Sequence, residues 1–160
     1  METTNPFAVL SLIVAPAILT NAASVLTMST SNRLARAVDR ARELSKQLEA
    51  DSTGPEAPRR MTELSVAEQR ALLLLRALRG FYFALGGFAS AALISLLGAV
   101  LVPFEAPVLV GPLEILGVVA GLAAVAAIVH GCALLLRETR LAVMVLTDRV
   151  TRLRARLPPD

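Results

Sequence analysis

One histidine and one cysteine, His130 and Cys132, are the only residues of their types in the chain. The sequence has no CxxC, HExxH or GxSxG motif and no glycine-rich phosphate loop. Two positions apart on a helix, His130 and Cys132 point to different faces, so a zinc site would need ligands from other subunits. A single cysteine also forms no intrachain disulfide. The expected role of His130 is an interhelical hydrogen bond, with proton or ion handling as the sharper alternative. On motif absence an intramembrane enzyme comes third among the readings, and neither enzymatic activity nor a cofactor or metal is expected.

Hydroxyls and acids carry more information. Thr20, Ser24, Thr27 and Ser31 follow i, i+4, i+7, i+11 spacing on one helix face, with Asn21 beside them. In hydrocarbon such groups must find partners. Two readings remain open. Thr20, Asn21, Ser24 and Thr27 bond neighbouring helices or their own backbone, or they line a hydrated path in an oligomer. Glu105 and Glu114 flank a proline-rich connection, either as solvated loop acids or as an acidic mouth at a cation entrance. Glu114 stands near a helix start, where the dipole favours a carboxylate.

These residues sit in or beside long apolar elements. No charge falls between Glu2 and Arg33 (30 residues), Arg79 and Glu105 (25 residues) or Glu114 and Arg137 (22 residues). At about 1.5 Å per helical residue, each window is long enough to cross a hydrocarbon core of about 30 Å. Three transmembrane helices are predicted, over residues 6–28, 81–102 and 113–136. All 16 Lys and Arg residues fall between the first and second windows or after the third. The positive-inside rule then puts the N-terminus outside and the C-terminus in the cytoplasm. The basic balance suits a lipid bilayer with anionic headgroups and calls for no nucleic acid. A cleaved signal peptide is not expected, because the first window lacks a basic flank and a small-residue cleavage site.

Asn5-Pro6 opens the first span, and Pro16 predicts a kink within it. Ser29 to Asn32 mark its exit, where the helix either bends or continues. Ser65 with Glu68 reads as a capping box for the second long helix, and Phe81, Tyr82 and Phe83 as an interfacial aromatic belt. Gly117-Val-Val-Ala-Gly121 and the ridge Gly87, Ala91, Ser95, Ala99 allow close helix approach, within or between subunits. Cytoplasmic helices are expected over 32–50, 65–79 and 137–157, with a flexible turn at 51–60 and an outer loop at 103–112. Three seams of alternating 3-4 spacing support them: Leu34, Val38, Ala41, Ser45, Leu48; Leu64, Ala67, Ala71, Leu74, Leu78; and Val143, Leu146, Val150, Leu153, Leu157. The predicted fold is all-α: a single polytopic membrane domain, its three transmembrane helices extended into a cytoplasmic three-helix coiled-coil-like bundle. For the first of these extensions the alternative is an amphipathic helix on the membrane surface.

The run NPFAVLSLIVAPAILTNAASVLTMSTSNRLARAVDRARELSKQLE resembles the opening of a bacterial membrane family, Domain of Unknown Function 2721. Pro16, Asn21, Asn32-Arg33 and Asp39-Arg40 carry the likeness. It implies a small three-span protein of the bacterial inner membrane and supplies no activity or ligand. The charged residues also have a physical reading. Arg33, Asp39, Arg40, Asp148 and Arg149 form a candidate cytoplasmic ion-pair network, in which Asp39 pairs with Arg36, Arg42 or an arginine of the C-terminal helix. A homo-oligomer or an accessory subunit of a larger membrane complex is the leading functional expectation. An ion-conducting oligomer is the second.

Overall fold

The structure, a computed structural model, describes residues 6–101 and 107–156; within these, the side chains of 6–13, 15, 16, 99, 107–110, 148, 149, 152, 153, 155 and 156 lie outside the description. Three helices account for nearly all of it: α1 (Pro6–Ala50), α2 (Ala57–Leu101) and α3 (Pro107–Arg156). No strand occurs among the described residues. A helix of 45 residues follows a path of roughly 68 Å, more than twice the thickness of a bilayer core.

Two segments, Ala57–Gly98 and Gly111–Thr147, are long and apolar enough to cross a membrane. In their most apolar windows only 22% and 17% of the residues are buried. A core helix of a water-soluble domain hides its apolar face against other elements. These helices instead leave Leu93, Leu96, Leu97, Leu116, Val119 and Leu122 exposed. The expected first span, 6–28, lies partly outside the described side chains.

Several boundaries differ from the expected ones. α1 stays helical through Ser29–Asn32. The turn is confined to 51–56, where Ala57 N–H donates to the Gly54 carbonyl at 3.0 Å. α2 therefore begins at Ala57, two turns before the expected capping box. Pro58 suits that first turn because its missing N–H would have had no helical partner. Ser65 consequently caps nothing, and its hydroxyl donates to the Thr62 carbonyl at 2.8 Å. α3 already runs through Gly111 and Pro112, which were expected in a loop.

The chain divides into two compact units. One comprises Met1–Ser29 and Leu78–Gly131. Its core holds Ala84, Phe88 and Ala124, with Ala127 and Ile128 against it. Close approach of α2 and α3 depends on residues without bulk. A Cβ on Gly87 would lie 2.8 Å from that of Ala124, and one on Gly131 would lie 2.6 Å from the Phe81 ring. Phe81 is thus a buried core residue, whereas Tyr82 and Phe83 are exposed. Gly117 of the GxxxG pair meets Ile94 of α2, while Gly121 faces open space.

The other unit comprises Thr30–Ala77 and Cys132–Asp160. Thr30, Ala37 and Leu44 on α1, Ala67, Leu74 and Ala77 on α2, and Leu134 and Glu138 on α3 are buried. The second half of α1 packs through Ala37 and Leu44, with Leu34, Ala41 and Leu48 half-buried beside them. On α2 the observed stripe includes the expected Ala67, Leu74 and Leu78. On α3 the expected seam is displaced: Val143, Leu146 and Val150 are exposed, at 56%, 62% and 41%. The inward face runs instead through Gly131, Leu134, Glu138, Leu141 and Val145. Both stripes have 3-4 spacing, and the buried one is the face that brings Glu138 to its partners.

Candidate functional site

Glu138 is the point where all three helices meet one charge. Its side chain is fully buried, at 0% exposure. Arg70 of α2 donates to Oε1 through Nε at 2.8 Å, and its Nη2 lies 2.7 Å from the same oxygen. Arg33 of α1 donates to Oε2 through Nη2, which also reaches the Thr139 hydroxyl at 3.1 Å. A carboxylate without water needs charge-assisted hydrogen bonds at both oxygens, and each oxygen has one guanidinium. The two arginine side chains remain about one-third exposed, at 32% and 37%. Burial therefore falls on the anion, and the cations keep part of their hydration.

The pairing reaches along α1 by helical spacing. Arg33, Arg36 and Arg40 stand three and four apart, so they share a face. Arg40 Nη2 lies 3.0 Å from Glu63 Oε2, and Arg59 Nε lies 3.4 Å from the other oxygen of that carboxylate. Arg36 is exposed and has no ion pair or hydrogen bond among the described residues. Asp39 lies 3.9 Å from Arg42, with both side chains about three-quarters exposed. Of the expected network, Arg33 and Arg40 are thus engaged by Glu138 and Glu63, which the sequence reading had not selected. Asp148 and Arg149 have side chains outside the described residues.

In the first unit the expected polar face divides. The Thr27 hydroxyl is buried and donates to the Ala23 carbonyl at 2.8 Å. The Ser24 hydroxyl donates to the Thr20 carbonyl at 3.0 Å, and Ser24 itself is exposed. Thr20 is half-buried, and Asn21 is exposed with no hydrogen bond among the described residues. The inward face of α1 is Ala23 and Thr27, which turns Asn21 and Ser24 outward. In the second unit Thr30 is 1% exposed, and its Oγ1 has no hydrogen-bond partner among the described residues. His130 is also exposed, and no interhelical hydrogen bond joins it to another of the described residues. Glu114 is exposed near the start of α3, and Glu105 lies outside the described residues. No group of three metal-binding side chains occurs among the described residues.

Glu138 was legible only indirectly. Flanked by Arg137 and Arg140, it reads as one more solvated acid in a charged stretch. The available signal was its place four residues after Leu134 and seven after Gly131, on the small and apolar stripe of α3.

No curated protein and no solved structure matches the chain. Residues 13–148 match the family described as Protein of unknown function (DUF2721). That span takes in well over half the chain, including Glu138 and both of its arginines, and the chain belongs to the DUF2721 family.

Proposed function

We propose that the chain is a three-span integral protein of the bacterial inner membrane that acts without catalysis, by assembling with further copies of itself. In this reading the N-terminus is outside, and the arginine-rich segments face the cytoplasm. The observation that carries the proposal is Asn21. Its carboxamide is exposed between Ile18 and Val25, themselves exposed at 63% and 57%, and has no partner among the described residues. Carboxamides facing lipid are costly, and asparagine on transmembrane helices associates across helices. A second copy supplies the same group, so the face is self-complementary.

The test is oxidative crosslinking of Asn21→Cys in a Cys132→Ser background, in intact membranes. A disulfide-linked dimer is expected at position 21, and none from Ala23→Cys, which replaces a buried residue. Failure of position 21 to crosslink, together with its full labelling by a membrane-soluble maleimide, would contradict the reading.

A second reading is an oligomeric ion path. The outward placement of Asn21 and Ser24 favours it. The lining is then narrower than the full hydroxyl face, because Thr27 is turned inward. Replacing Asn21 and Ser24 by Leu should abolish ion flux from liposomes, and unchanged flux would remove this reading.

A further inference from the structure

Arg33, Arg36 and Arg40 of α1 and Arg70 of α2 line a groove of about 250 Å³ floored by Ala37 and Ala67. Both alanines are buried, and their small side chains leave the space that larger residues would fill. Four guanidinium groups in one groove repel unless anions compensate them. Two carboxylates do so in part. Glu138 holds Arg33 and Arg70, while Glu63 holds Arg40 and is shared with Arg59. Arg36 has no partner among the described residues. The groove is therefore an excess of guanidinium donors at fixed positions, with two of them oriented by a buried acid.

We infer that this groove binds a phosphate group. Guanidinium forks match phosphate oxygens in pairs, and arginine outperforms lysine where such geometry counts. Arg36 supplies the uncompensated charge. Arg33 and Arg70 each retain exposed surface beyond their contacts with Glu138, from which they add donors. The phosphate belongs either to an anionic phospholipid headgroup or to a soluble phosphate ester, since basic pockets on the cytoplasmic side of membrane helices suit both. The inference does not depend on self-assembly.

The test compares the wild type with Arg36→Glu, both reconstituted in phosphatidylcholine nanodiscs. Arg36 makes no contact that the fold needs, so its thermal unfolding should match the wild type. One arm adds phosphatidylglycerol or cardiolipin and counts retained lipids by native mass spectrometry. The other titrates inorganic phosphate and pyrophosphate by calorimetry. At least tenfold weaker binding in Arg36→Glu is expected in one arm. Loss in the lipid arm identifies a headgroup, and loss in the soluble arm identifies a free phosphate. Binding equal in both proteins in each arm, or no binding in either, would overturn the inference. Should Arg36→Glu unfold early, Arg36→Gln provides the same comparison with a smaller expected loss.

Discussion

Removing Glu138 leaves two guanidiniums facing each other where one carboxylate had joined them, so the consequence exceeds the loss of ordinary hydrogen bonds. Breaking a buried pair from one side costs on the order of 3–5 kcal/mol, and the partial exposure of both arginines places Glu138→Ala near the lower end. Denaturant unfolding in micelles should show a loss of about 3 kcal/mol. A loss below about 0.5 kcal/mol, the size expected of an ordinary surface site, would show that the buried carboxylate organises little. Arg70→Lys should cost roughly 1–2 kcal/mol, because an ammonium cannot reproduce the Nε donor to Oε1 together with the close approach of Nη2. The same residues show where sequence stops being informative. Charge type and helical spacing placed Arg33 and Arg40 in an ion-pair network. Their partners lie 105 and 23 residues away, a choice made by packing that periodicity cannot see.

Among the elements, the three long helices were readable from charge-free windows and 3-4 spacing, and the small residues marked close approach. Orientation about each axis was not. α3 offers two stripes of equal period, Leu134/Leu141/Val145 and Val143/Leu146/Val150, and apolar content alone favours the wrong one. The buried stripe is selected by Glu138 and by Gly131, whose missing side chain admits the Phe81 ring. That close approach makes a clear prediction. Gly131→Ala puts a methyl group 2.6 Å from a ring atom of fully buried Phe81, and overpacking of this kind costs about 1–3 kcal/mol. Gly86→Ala meets nothing within 4 Å and should be neutral or stabilising by up to about 1 kcal/mol. Thermal unfolding of the two variants side by side separates packing from helix propensity. Equal stabilities would contradict the close contact.

For the whole molecule, α2 and α3 leave most of their apolar windows unburied, and the proposed assembly rests on α1, which turns Asn21 outward. The two helices long and apolar enough to cross a membrane were legible in composition as long uncharged windows. For the proposed self-association the sequence offers only the general need of polar groups in hydrocarbon to find partners. Among those polar groups Asn21 is the one exposed without a hydrogen bond to any described residue, since the Ser24 hydroxyl donates to the Thr20 carbonyl and Thr27 is turned inward. Native mass spectrometry of the protein released directly from its own membrane is the most direct test. The expected result is a closed homo-oligomer for the wild type and a shift toward monomer for Asn21→Leu. A wild-type monomer, or an oligomer that Asn21→Leu leaves unchanged, would contradict assembly through this face.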